Sequence, residues 1–387
     1  AKRLAAPVAA RARERMNAAN LAQARLDLLG AEVRLIAAAV RFLEFASLVD
    51  VRGAIVEHPA IATLSAAWPT LSALNAEPWR SAPEVVDALC EVYTRSLLCA
   101  KTAVAPLLPH LLEFMRDAFV AHRHPSCLDA LAVAVEVFSE HVCSRNSASR
   151  VPDNVQLGQC STMFDTANSF ANVLLACAQA AHLALSASPI AEQAELARAT
   201  FELANKYALF APGVLLSSPA LQPLMGAACA AIGTNEREAV RAALGMISAL
   251  IEPGRRAGST ATWQNGRGVV DAWATSVGGG DALVRALLSA GGTDCPRHLL
   301  RPVAQLLRAV RGRYGRSADA WLTSAVSDPS FPSPNDPCDD SVKRAFCELA
   351  TRELDPLPPQ RWSAMAVDFF QICRREANED ALLAHQM

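Results

Sequence analysis

The side chains best suited to holding a metal ion are His122, His124, Cys127, His141 and Cys143. Zinc needs four such ligands converging tetrahedrally, as paired C-x-x-C and H-x-x-x-H spacings allow. Here the order is H-x-H-x-x-C and then, after a helical stretch, H-x-C. That stretch spans roughly 20 Å at about 1.5 Å per residue, which keeps its two ends from sharing one ion. The spacing argues against a metal centre. Gly278-Gly279-Gly280 invites a phosphate-loop reading, but no Gly-Lys-Ser/Thr ending follows and no strand precedes it. The triplet reads as a flexible turn, with Asp281 as the N-cap of the next helix. Arg308, Arg311, Arg313 and Arg316 form the basic cluster. Either they meet the negative end of a helix dipole, which is the favoured reading, or they contact an acidic partner. Nucleophile-elbow, zincin, dinucleotide-fingerprint and P-loop patterns are all missing. The expectation is a protein that is not an enzyme and takes no cofactor.

The elements that position these residues read as helices throughout. Of 387 residues, 52% are hydrophobic but only 6% aromatic. Small aliphatic interiors suit helices packed closely on helices, and no stretch sustains the period-two alternation of a strand. Ile61–Leu74 puts Leu64, Trp68, Leu71 and Leu74 on one helical face, ahead of a break at Glu77-Pro78. Glu84–Leu98 buries Val85, Val86, Leu89, Cys90, Tyr93 and Leu97, leaving Asp87, Glu91, Thr94 and Arg95 as a polar stripe. Ala103–Val120 and Ser126–His141 repeat the plan, the second with Asp129, Glu136 and Glu140 on its polar side. Further helices are expected from Asn154 to Arg375. Pairs recurring about every 40 to 50 residues indicate a HEAT or armadillo array, in which stacking on neighbours completes each pair's core. The organisation expected is one array over 1–387, with flexible insertions near 252–266 (Gly-rich) and 327–337 (four prolines).

A net charge of −2 excludes a basic nucleic-acid binder. The most apolar run, 171–191, contains Asn172, Gln179 and His182 and reads as a buried helix, so no membrane insertion is expected. Eleven cysteines placed singly in apolar patterns read as core residues in a reducing compartment. The start at Ala1-Lys2-Arg3 reads as that of a fragment.

Several segments resemble one family. Val85-Val86-Asp87-Ala88-Leu89-Cys90-Glu91-Val92-Tyr93 and the run Ala105 to Met115 look like the C-terminal half of karyopherin-β nuclear transport receptors, of the importin-thirteen and transportin-SR branch. Trp68-Pro69, Ala130 to His141, Phe201-Glu202-Leu203-Ala204, Ala320-Trp321-Leu322 and Phe331-Pro332-Ser333 add to the set. The resemblance implies a superhelical arch that shuttles between nucleus and cytoplasm. It also implies protein cargo on the concave face, Phe-Gly nucleoporins in outer grooves, and release by Ran-GTP bound mainly to repeats upstream of this chain. Transportin-SR carries arginines where this chain has Ala88, Glu91, Thr94 and Leu98, so the importin-thirteen side fits better. A cytosolic HEAT scaffold or regulatory subunit without a transport role is the alternative.

In such an array the second helix of each pair lines the cargo face. The candidate contacts are therefore Asp87, Glu91, Thr94, Arg95, Asp129, Glu136, Glu140, Glu236, Arg237 and Arg241. Their mostly acidic character predicts a preference for basic cargo surfaces; the competing reading is a merely solvated face.

Overall fold

The computed structural model describes residues 7–14, 23–43, 58–139, 157–253, 261–352 and 357–385. Among these residues there is no strand. The chain divides into two compact units, Ala1–Ala181 and His182–Met387.

The first unit contains α1 (7–14), α2 (Gln23–Arg41), α3 (Pro59–Leu74), α4 (Pro83–Ala100), α5 (Leu108–His122), α6 (Pro125–Val137) and most of α7 (Leu157–Ala187). Prolines punctuate these starts: α3, α4, α5 and α6 each carry one in the first two helical positions, where a missing N–H costs nothing. The helix expected from Ala103 begins later. Lys101–Leu107 forms a 3-10 turn and α5 starts at Leu108, because Pro106 and Pro109 withhold the N–H groups that an α-helix would need there. In α4 the six residues expected in the core are all at most 3% exposed. Tyr93 is wholly buried, donates to Asn75 Oδ1 at 2.9 Å and meets Phe114 edge-on at 5.7 Å. Burial raises its hydroxyl pKa far above the usual tyrosine range. Trp68 is only half-buried, tilted against His110.

Second helices of successive pairs pack side by side, α2 on α4 and α4 on α6, while α3 and α5 form the other layer. This is the stacking that HEAT units need, since no pair covers its own apolar face. Gly30 lets α2 close on α4: a Cβ there would lie 2.9 Å from the Glu84 carbonyl oxygen.

The second unit repeats the arrangement with α8 (Ala194–Phe210), α9 (Pro212–Leu216), α10 (Leu221–Ile232), α11 (Arg237–Ile251), α12 (Ala261–Ser276), α13 (Gly279–Gly292), α14 (Leu300–Tyr314), α15 (Arg316–Val326), α16 (Asp340–Ala350), α17 (Pro359–Cys373) and the short α18 (Asp380–Leu383). Its row of second helices runs α8, α11, α14, α17. Two stretches, Pro83–His122 and Thr166–Ala187, have the length and apolar composition of a membrane span. The first is interrupted at the 3-10 turn, and both bury an apolar face within the protein.

Two glycine-rich segments behave differently from the loops expected of them. Helix α12 begins at Ala261, so the Gly-rich insertion near 252–266 is helical in its last part, whereas 254–260 lie outside the described residues. A Cβ on Gly266 would sit 2.6 Å from Leu216 Cδ1, so this glycine is a contact between α9 and α12. Of the triplet, only Gly278 is a turn residue, with φ +79° as the N-cap of α13. Asp281 is not the N-cap; it lies in the first turn and pairs with Arg285 at 2.8 Å. Gly279 and Gly280 are helical and accept the rings of Trp273 and Trp321, which a Cβ would approach to 2.2 and 2.4 Å. Gly280→Ala should therefore cost about 1–3 kcal/mol in overpacking, partly offset by about 1 kcal/mol of helix propensity. Thermal melts should show a lowered midpoint; an unchanged or raised one would mean that Trp321 swings aside freely. The connector 327–337 is non-helical, as its prolines require, but it is anchored: Phe331 is 6% exposed and stacks on Phe369 at 5.9 Å.

Candidate functional site

On α4, the buried Val85, Val86, Leu89, Tyr93 and Leu97 face the core, so the intervening positions must face out. Asp87 is exposed, while Glu91, Thr94 and Arg95 are half-buried. Glu91 lies 3.7 Å from Arg34 on α2, with both side chains more than 40% exposed. In solvent of that accessibility the pair contributes little to stability, so both groups stay available to a partner. On α6, Asp129 is half-buried and Glu136 exposed; Glu140 lies outside the described residues. The packing of α2, α4 and α6 thus gathers Arg34, Asp87, Glu91, Asp129 and Glu136 onto one row of helices in the first unit.

In the second unit the site residues join a network that the sequence reading had not assembled. Arg241 donates through Nε to Glu238 at 2.8 Å and through Nη2 across to Glu202 of α8 at 2.9 Å. Arg198 in turn holds Glu195 at 2.9 Å and Glu202 at 2.7 Å. Arg237 lies 3.3 Å from Glu238, and Glu236 is the N-cap residue of α11 without a side-chain cap bond. The Arg241 hydrogen bond, with the charges of Arg241, Arg237 and His298, holds the Glu238 carboxyl below its usual pKa. That bond likewise raises the Arg241 pKa. The missed members Glu195, Arg198, Glu202 and Glu238 carried a legible signal, acid–base spacing of i,i+3 and i,i+4 on one helix. The 39-residue link from Arg241 to Glu202 carried none.

Elsewhere in the second unit, α14 and α17 line an open groove of about 520 Å³ with Arg301, Gln305, Arg308, Gln360 and Asp368, to which Glu252 also contributes. Arg308 lies 3.7 Å from Glu252. Two others of the basic cluster, Arg311 and Arg313, are spent on structure, whereas Arg316 is exposed at the start of α15. Arg311 pairs with Asp319 at 2.7 Å, and Arg313 reaches Asp271 together with the carbonyls of Leu250 and Ile251. Capping of helix ends, the favoured reading, describes Arg313 well, although the end it caps is that of α11 rather than its own helix.

The histidine and cysteine set is dispersed. His122 hydrogen-bonds Glu77 at 2.9 Å, His124 is buried against the Arg80 carbonyl, and Cys127 lies 3.8 Å from Cys90. Burial depresses the His124 pKa. His141 and Cys143 lie outside the described residues. Among the described residues no group of three or more His, Cys, Asp or Glu could hold a metal ion.

Paired helices, second helices aligned in rows, and charged stripes along those rows define an α–α solenoid of HEAT type. A solved structure described as "Importin13 cytosolic state" matches it with a TM-score of 0.68 at 16% sequence identity, over 97% of this chain and 38% of that one. No family model matches the chain, and neither does any curated protein sequence. At this identity the likeness shows the fold alone, a HEAT-type helical array.

Proposed function

We propose that this chain is part of a nuclear transport receptor of the importin-thirteen type and binds protein cargo along its rows of second helices. The observation that carries the reading is the extent of the match, 97% of the chain on an importin fold. The chain spans 38% of that neighbour's length, so the whole receptor holds further repeats. Ran-GTP acts through those repeats to release cargo, by the reciprocal coupling that any two ligands of one flexible array must obey. Phe-Gly nucleoporins bind between first-layer helices, and the receptor shuttles between nucleus and cytoplasm. In this reading the chain binds rather than catalyses, since the charged groups of the candidate rows lie on open helix faces rather than in a closed, water-excluding pocket.

The test is a pull-down with the complete receptor from cell extract, in the presence of Ran-GTP or Ran-GDP. Cargo displaced by the GTP form alone is the expected result. If neither form binds the receptor, the chain is a HEAT scaffold without a transport role.

The row on α2, α4 and α6 carries more acid than base, so a basic cargo surface complements it. Asp87→Lys combined with Glu91→Lys should weaken a basic cargo by roughly tenfold at physiological salt, and by less at high salt. The fold should survive, because neither side chain is buried. Unchanged affinity would demote the stripe to a solvated face.

A further inference from the structure

Helix α14 carries four arginines, and its two faces use them differently. Arg311 and Arg313 are held by Asp319, by Asp271 and by the end of α11. Arg301 and Arg308 lie on the outward face. With Gln305 and Gly312 they follow the i, i+4, i+7, i+11 order of one helical stripe, opposite the buried Val303, Leu307 and Val310. The stripe is open. A Cβ on Gly312 would meet nothing within 4 Å, and the Arg301 side chain has no partner among the described residues.

Two open hollows flank this stripe. One, of about 520 Å³, is walled by Gln360, Val367 and Asp368 of α17; the other, of about 400 Å³, by Trp263, Gln264 and Arg267 of α12. Arg308 and Glu252 line both, so the hollows meet along α14 as one trough. Its charges are unequal. Arg267, Arg301 and Arg308 reach solvent, Arg267 with 61% of its side chain. The acids nearby are mostly engaged elsewhere. Asp271 is taken by Arg313 at 2.7 Å, leaving Arg267 3.5 Å away, and Asp368 hydrogen-bonds His385 at 2.7 Å. Glu252 is 64% exposed and 3.7 Å from Arg308, a pairing that solvent reduces to little.

We propose that this trough binds an acidic, extended segment of a partner protein, Arg301 and Arg308 each gripping one carboxylate. The spacing selects the pattern. Seven helical residues set the two arginines roughly 10 Å apart along α14. A polyproline II segment brings every third side chain to the same side, about 9 Å further along. Acidic residues at i and i+3 of such a segment therefore face both arginines at once. Each guanidinium can hold its carboxylate bidentately, and the Gln305 amide between them offers N–H groups to a peptide carbonyl. The sign is opposite to that of the α2, α4 and α6 row, where acid predominates, so one chain reads two partner surfaces of opposite charge. Neither Ran nor cargo release enters into this binding, and a HEAT scaffold without a transport role would show it equally.

The experiment titrates the whole chain into a dye-labelled peptide of repeated Glu-Pro-Ala and follows anisotropy, with the Gln-Pro-Ala repeat as control. The glutamate peptide should bind and the glutamine peptide should not. Arg301→Glu combined with Arg308→Glu should weaken binding by about tenfold or more at low salt, and added salt should weaken the wild type likewise. Arg301→Glu alone, at an exposed position, should give part of that loss with an unchanged melting curve. Arg297→Glu combined with Arg344→Glu makes the same change in net charge at exposed positions outside the trough, and should leave binding unaltered. The proposal is overturned if the glutamate peptide fails to bind up to about 1 mM, if the glutamine peptide binds as well, or if both double variants lose affinity equally. It is also overturned if sedimentation shows a dimer of the chain that the Arg301 and Arg308 variant abolishes, for then a second copy fills the trough.

Discussion

Phe369→Ala should cost the unit His182–Met387 about 3–5 kcal/mol, the range for deleting a large aromatic from a close-packed core. The ring is fully buried, and it lies between two others: Phe346 at 3.8 Å, nearly parallel at 6°, and Phe331 at 5.9 Å and 1°. Phe370 adds a tilted contact at 6.2 Å. Each aromatic pair contributes roughly 0.5–1.5 kcal/mol beyond its buried area, and the substitution removes three at once. It also removes the surface on which the connector is seated, because Phe331 has no other aromatic partner among the described contacts. In a repeat array stability is shared between neighbours rather than across the whole chain. Urea unfolding followed by tryptophan fluorescence should therefore show one transition moving, the one reported by Trp321 and Trp362 near this cluster. Phe369→Leu keeps much of the volume and should lose less than half as much. A loss under about 1 kcal/mol for the alanine variant would mean that α16 and α17 close over the gap.

How much of this was legible beforehand depends on the range of the interaction. The apolar faces of α4 and α6 followed from a 3.6-residue period, because burial on a helix repeats with the backbone itself. The polar stripe through Asp87 and Glu91 was legible for the same reason. The partner of Glu91 was not: Arg34 is brought to it by the stacking of α2 on α4, which local spacing does not encode. Glycine misled twice. Gly266 and Gly280 read as loop residues, since backbone freedom is the common reason for glycine. Their actual reason is a side chain from another helix, Leu216 in one case and Trp321 in the other. Proline was the more dependable marker. Its missing N–H is a property of the residue alone, and it set the starts of α3 to α6 and the irregular connector after α15. The candidate cargo face was thus readable as a stripe on each helix, but not as the networks that neighbouring helices build from those stripes.

The arginines of α14 provide the second large effect, because adjacent positions serve opposite ends. Arg313 has a side chain only 7% exposed. Its Nε donates to Asp271 of α12 at 2.9 Å, and its Nη1 donates to the Leu250 and Ile251 carbonyls, at 2.9 and 2.8 Å, where α11 ends. Those carbonyls have no N–H donors left within their own helix to satisfy them, so a cation there meets both the hydrogen-bonding need and the dipole. Arg313→Ala leaves two carbonyls and one carboxylate without their donor, and should destabilise the second unit by about 3–5 kcal/mol. Lysine should rescue little, since one ammonium on a flexible stem does not span three acceptors as the planar fork does. The exposed Arg301, three turns earlier on the same helix, should cost no more than about 0.5 kcal/mol as alanine. Denaturation midpoints of Arg313→Ala, Arg313→Lys and Arg301→Ala measured together decide the matter. If the two alanine variants fall within 1 kcal/mol of each other, Arg313 is not the clamp between α11, α12 and α14. If they separate as expected, binding losses in Arg301 and Arg308 variants report on the groove between α14 and α17, while losses at Arg313 report on folding.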